Sequence, residues 1–145
     1  MYLFIPKNIK EVYELQEYYD GLILSLENLS INYPEFTLEE IKQIIKEIKN
    51  KKIFINLNKN MHNNDIPYLK EIMKELDNLE IEGILYYDLS VPNIGSKHNL
   101  VWSVCHMTTN YKTCEFWHKR GIKYTFLSNE ITLEEIKEIS ENTKM

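Results

Sequence analysis

Short apolar runs with no polar alternation recur along the chain, and between them the apolar positions fall at helical spacing. The clearest example lies late. An apolar run at 100–104 leads through a polar segment to a helix ending in His118, Lys119, Arg120 and Gly121; a second run at 122–127 follows at once, and Thr132 opens another helix. Uninterrupted apolar runs suit strands buried on both faces, and intervening helices suit parallel pairing. Gly121 fits a left-handed helix terminus, with Lys119 and Arg120 placed where cations favour the negative end of a helix.

The same alternation runs from the start. A strand at 2–5 precedes a helix that Asn8 and Glu11 cap and that reaches Tyr19; Gly21 ends it and a strand at 22–26 follows, closed by Glu27. After a loop holding Tyr33 and Pro34, Thr37 and Glu40 cap a helix with Leu38, Ile41, Ile44, Ile45 and Ile48 on one face. A third strand at 53–57 runs into the polar loop 58–64, with Asp65 as the next cap and Leu69, Ile72, Met73, Leu76 and Leu79 as the next apolar face. Gly83 opens a fourth strand at 84–87 that ends at Asp88. Residues 89–99, holding Pro92 and Gly95, carry no useful helix pattern and predict an irregular or very short crossover. The hexapeptide Thr-Leu-Glu-Glu-Ile-Lys occurs twice, at 37–42 and 132–137, and reads as one capping box used twice.

The pattern predicts an α/β fold in which six parallel strands alternate with helices, an incomplete TIM-barrel-like sheet. An open doubly wound sheet is the alternative, since eight strands and roughly 250 residues are typical of a complete barrel. With 145 residues, 43% of them hydrophobic, residues 1–145 suit a single α/β domain, part of a larger barrel. A formal net charge of −5 supplies no global attraction for nucleic acid or an anionic membrane, though a local basic patch remains open. The first residues lack the pattern of a signal peptide and no apolar run approaches membrane-spanning length, so a cytoplasmic protein is expected. Cys105 and Cys114 fall far short of a disulfide framework or a four-cysteine metal site.

Several pieces in order carry a resemblance: residues 20–24 before a strand, 36–41, Asn58 through His62 and Asn63, Asp88 closing its strand, 116–121, and Glu130 ahead of the second Thr-Leu-Glu-Glu-Ile helix. Together they resemble the amino-terminal barrel portion of the collagenase-like peptidase family (peptidase family U-thirty-two). Its bacterial members include proteins implicated in hydroxylating uridine in transfer RNA and cytidine in ribosomal RNA. The resemblance implies a barrel and either RNA hydroxylation or peptidase activity. It also implies that the cysteine-rich segment supplying iron–sulfur ligands lies beyond residue 145, so no cofactor is expected in this chain, which reads as truncated relative to the family. Cys105 stands where the family usually has a glutamine, and Asn129 where an arginine usually precedes the glutamate.

Loops after the carboxyl ends of parallel strands carry function in such folds. Glu130, Asp88 and His62 are therefore the candidate catalytic residues, and Glu27, Asn58, Cys105 and Asn129 the candidate substrate-binding residues; no metal ligand set is assigned. Converging carboxylates could orient a hydroxyl or move a proton. The competing structural reading makes Glu27, Asp88 and Glu130 caps of the turns that follow them, His62 a solvated loop residue and Cys105 a small buried hydrophobe. Trp102 and the tyrosines could stack bases, but Tyr86, Tyr87 and Tyr124 lie inside strands and read as packing. Cys105 and His106 are adjacent and make a poor nucleophile and base pair. No other positioned nucleophile and base, and no paired aspartates, stand out for peptidase chemistry. Six strands leave two edges open, so a homo-oligomer or a chain completing the barrel is the expected partner, with RNA as a possible ligand and no membrane. The competing function is a non-catalytic interaction module or subunit.

Overall fold

The computed structural model describes residues 1–32 and 34–145, and of Cys105 the backbone alone. Six strands lie in one sheet in chain order: β1 (Leu3–Phe4), β2 (Gly21–Leu26), β4 (Lys52–Leu57), β5 (Gly83–Tyr86), β6 (Asn99–Trp102) and β7 (Tyr124–Thr125). Every neighbouring pair is parallel. A two-residue strand, β3 (Glu35–Phe36), pairs with the end of β2 where β1 has stopped. Too short to leave a periodic signature, it falls where the sequence predicts only loop.

Helices α1 (Ile9–Glu14), α2 (Leu38–Glu47), α3 (Ile66–Leu76), α4 (Ser90–Ile94), α5 (Tyr111–His118) and α6 (Leu133–Asn142) fill the crossovers. A doubly wound sheet would reverse its strand order at a switch point. Here the order never reverses, and the sheet curls in one direction into half a barrel.

Alternation along the strands divides the core. Leu22, Leu24, Ile53, Ile55, Leu57, Ile84, Tyr86 and Trp102 point outward under the helices, in the main cluster. Ile23, Phe54, Leu85 and Val101 point inward and form a second cluster with Leu3. These inward residues are buried although nothing faces them from another sheet layer, because the curl is tight. Ile5, beyond β1, and Phe126, beyond β7, line one cavity, so the two edges face each other across the concave side. Two inward glycines permit this closeness. A Cβ on Gly21 would stand 2.6 Å from the Lys52 carbonyl oxygen, and one on Gly83 2.8 Å from that of Asn99.

Local chemistry sets the helix starts. Asn8 accepts the Glu11 N–H, while Glu11 turns its carboxylate to the Lys7 N–H. Thr37 with Glu40 and Thr132 with Glu135 both form complete capping boxes. Gly121 takes φ +85°, as the end of α5 requires. The first helix is shorter than predicted, stopping at Glu14 before a single 3-10 turn over Gln16–Tyr18. Asp65 precedes α3 without capping it, because its carboxylate accepts the His62 N–H and the Lys59 ammonium within the preceding loop. Tyr86 is wholly buried as expected, whereas Tyr124 on the edge strand is 47% exposed.

Candidate functional site

The carboxyl-end half of the concave face is polar. Ser25 stands opposite Asn56 in the parallel register, and the Asn56 side-chain amide donates to the Ser25 hydroxyl at 3.2 Å. One step nearer the mouth come Asn58, Tyr87 and Ser103. Asn58 and Ser103 are buried, and all three line a cavity of about 150 Å³ with Asn32, Asn56, Ile5, Ile23, Leu85 and Phe126. Below this polar layer the inward face is the apolar cluster of Ile23, Phe54, Leu85 and Val101. No charged side chain lines the cavity among the described residues. The lining can donate and accept hydrogen bonds above an apolar floor, which suits an uncharged polar ligand better than a metal ion.

The rim is held by hydrogen bonds between successive loops. Asn58 Oδ1 accepts from the Ser30 hydroxyl at 2.6 Å and the Ile31 N–H at 2.9 Å, tying the loop after β4 to the loop after β2. Lys59 adds a bond to the Asn28 carbonyl and an ion pair with Asp65 at 3.0 Å. Asn28 sits at φ +65°, a conformation asparagine tolerates better than most residues. Asp88 joins the next pair of loops, its two carboxylate oxygens accepting the Met61 N–H at 3.0 Å and the Ser90 N–H at 2.8 Å. Burial works to raise the Asp88 pKa. The Ser90 and Met61 donors and the charge of His62 together outweigh it and leave the carboxyl below its ordinary value. On the far side, the Ser128 N–H donates to the Thr108 carbonyl.

The predicted residues therefore separate. Asn58 lines the cavity, and its carbonyl oxygen also holds the rim. Asp88 is half-buried and caps the turn into α4, while His62 is exposed beside it and within electrostatic reach. Glu130 and Asn129 are exposed in the loop after β7, at the same end of the sheet. Glu27 is exposed and its charge is felt by Tyr68 on α3, in the outer helix layer. The Cys105 side chain lies outside the described residues. Cys114, on the inner face of α5, is buried, and burial pushes its thiol pKa up.

Ser25, Asn56 and Ser103 were not singled out in the sequence, where each lies inside an apolar run read as buried on both faces. A signal existed. Three of the four central strands carry one lone serine or asparagine near the carboxyl end at an inward position, and the fourth carries Tyr87.

The family model described as Peptidase family U32 matches residues 10–145. The chain belongs to this family. It is 33% identical over 121 residues to an uncharacterized protease of Methanocaldococcus jannaschii, covering 81% of this chain and 30% of the relative. It is 27% identical over 118 residues to tRNA hydroxylation protein P2 of Bacillus subtilis, covering 77% of this chain and 38% of that one. With tRNA hydroxylation protein P1 of the same organism it shares 27% over 123 residues, 78% of this chain and 28% of the relative. The chain thus spans roughly a third of the length of these curated relatives. No solved structure matches it.

The residues present do not fit the iron–sulfur cluster that the family resemblance implies. Such clusters are held by four thiolates, whereas this U32 chain has two cysteines, and Cys114 sits in apolar surroundings that favour the neutral thiol. No group of three or more potential metal ligands occurs among the described residues, and no helix among them is long and apolar enough to cross a membrane.

Proposed function

We propose that this chain supplies the substrate-facing half of a U32 barrel that acts in tRNA hydroxylation. The carrying observation is the polar layer of Ser25, Asn56, Asn58, Tyr87 and Ser103, gathered on the concave face at the carboxyl ends of the strands above an apolar floor. An uncharged base ring has the size and the hydrogen-bonding edge for such a place. The names of two relatives, tRNA hydroxylation proteins P1 and P2, supply the reaction. In this reading Asn56 and Asn58 hold the ring, and exposed His62 and Glu130 on the rim meet the flanking nucleotide or move a proton. Asp88 positions His62 and the loop after β4. An overall charge of −5 opposes RNA in general, so recognition rests on contacts at the mouth rather than on a broad electrostatic field.

The test is expression of the chain in Bacillus subtilis lacking both P1 and P2, with mass spectrometry of the tRNA nucleosides. The reading expects a nucleoside heavier by one oxygen, and its loss in the Asn56→Ala variant. Absence of that nucleoside, together with no tRNA binding by the purified chain, overturns it.

A second reading is favoured by a different observation. Ile5 is 53% exposed, Tyr124 47% and Phe126 38%, all at or beside the two sheet edges that face each other. Unpaired backbone and apolar side chains on facing edges are what a barrel-completing segment would cover. In that case the chain is a subunit, and hydroxylation appears only when a chain supplying the remaining strands is co-expressed.

A further inference from the structure

Two groups in the concave cavity have a fixed hydrogen-bonding sense, and the two senses are opposite. The Ile31 backbone N–H can only donate, so the Asn58 atom that meets it at 2.9 Å must be the amide oxygen, which also takes the Ser30 hydroxyl at 2.6 Å. The Asn58 carboxamide therefore cannot turn over without losing the Ile31 bond. Its NH2 has no protein partner among the described residues and is not sealed off, although the residue is only 3% exposed, so it opens on the cavity that Asn58 lines. At Ser103 the sense is reversed. Its hydroxyl proton goes to the Tyr86 carbonyl at 2.9 Å, an oxygen that can only accept, which leaves Ser103 Oγ with lone pairs alone for a ligand.

The sheet register puts these two groups in one row. Leu57, Tyr86 and Trp102 are paired across β4, β5 and β6, so the residues that follow them, Asn58, Tyr87 and Ser103, stand side by side at the mouth. Asn58 and Ser103 are two strands apart, roughly 10 Å along the sheet, and the curl brings their side chains closer on the concave side. Asn56 lies one step deeper. It is held by the Ser25 hydroxyl, a group that can give or take, so its carboxamide can present either end.

We propose that Asn58 decides which base the cavity takes, selecting a ring with a carbonyl beside a ring N–H, the lactam arrangement of uracil, over the amino and imine arrangement of cytosine. This rests on the reading of the cavity as a base site and goes beyond it by naming the ring and the residue that reads it. The uracil edge away from the sugar carries O4, which accepts, and N3–H, which donates. The Asn58 NH2 gives to the first and Ser103 Oγ takes from the second. In the same seat cytosine sets its amino group against the Asn58 NH2 and its bare N3 against the Ser103 lone pairs, so both contacts are mismatched above an apolar floor. Charge plays no part in this choice, in keeping with a cavity that no charged side chain lines among the described residues.

Nuclear magnetic resonance titration of the purified chain with uridine and with cytidine, each to about 10 mM to reach weak binding, tests this. The side-chain NH2 signals of Asn58, assigned through its Cβ, should move downfield and saturate with uridine, and cytidine should bind at least about tenfold more weakly. Asn58→Asp keeps an oxygen for Ile31 and Ser30 and turns a second oxygen to the cavity, so it should weaken uridine and admit cytidine. Ser103→Ala provides an independent variant, because the Tyr86 carbonyl keeps the backbone N–H of residue 103; it should weaken uridine without admitting cytidine. Equal binding of the two nucleosides by the wild-type chain overturns the proposal and leaves the base site standing, as does uridine binding that leaves the Asn58 NH2 signals unmoved. If neither nucleoside shifts any cavity signal, the proposal falls together with the reading it rests on.

Discussion

Residues 37–42 and 132–137 have the same sequence, the same cap and opposite surroundings. In both, a threonine hydroxyl accepts the N–H three residues on, and the glutamate there accepts the threonine N–H, at 2.8 Å for Glu40 and 2.7 Å for Glu135. Yet Ile41 is wholly buried beneath α2, while its counterpart Ile136 is 37% exposed; Leu38 packs on the core, while Leu133 is 79% exposed. Six residues are enough to start a helix and fix its cap. Whether its apolar face is covered is decided by neighbours many residues away, and at α6 the described chain provides few.

The widest separation should come from the paired isoleucines. Ile41→Ala removes atoms from a packed site and is expected to cost about 3 kcal/mol, against under about 0.5 kcal/mol for Ile136→Ala in the monomer. Urea titration followed by circular dichroism measures both. Similar losses at the two sites would mean that α6 is covered in solution, and repeating the titration at increasing protein concentration would show whether a second copy does the covering.

Asp88 gives the next effect, because its carboxylate performs for two loops what each threonine does for one helix. Its pKa is lowered in the folded chain, so its contribution is present above the unfolded carboxyl value near about 4 and fades as pH falls through the lower folded value. Asp88→Asn should therefore lower stability at pH 7 by about 1 kcal/mol, discounted for partial exposure, and flatten the loss of stability below about pH 4. An unchanged acid limb in the variant would assign that limb to other carboxylates. Asp65, also lowered, by the His62 N–H and Lys59, is the first such alternative.

The same division between local and distant causes explains what could be read from the chain. Strand and helix alternation, the threonine caps, Gly121 and the short crossover at 89–99 are local, and each appears where the pattern puts it. Parallel pairing followed from the helix-length crossovers, but the strand order did not, since a doubly wound sheet has the same crossovers and a reversed order. The polar layer at the mouth was harder, because Ser25, Asn56 and Ser103 look like interruptions of apolar runs until the register sets Ser25 opposite Asn56 and Ser103 one step nearer the mouth. Asp88 and His62 were legible as loop residues at the carboxyl ends of the strands, but not the fact that Asp88 spends both oxygens on backbone donors. Glu27 was legible as the residue that closes its strand, but not its exposure, since the backbone leaves the strand alternation there and turns at Asn28, φ +65°.

The smallest contrast lies in the caps themselves. Removing either hydroxyl, in Thr37→Ala or Thr132→Ala, leaves one helix-terminal N–H without its acceptor, a loss of about 1 kcal/mol to the helix concerned. The helices do not share that loss in the same way. Since α2 is bound to the core through Ile41 and Ile44, it cannot open without much of the sheet following, so Thr37→Ala should lower the global unfolding midpoint. With Ile139 as its one buried residue, α6 can open locally while the sheet stays folded, so Thr132→Ala should hardly move that midpoint. It should instead raise amide exchange about fivefold within α6 and nowhere else, which is the same 1 kcal/mol expressed as a local opening equilibrium. Hydrogen exchange with mass spectrometry on the two variants separates these outcomes. A global midpoint lowered equally by both would show that α6 is part of the cooperative unit, and would require a contact on its exposed stripe that the isolated chain does not supply.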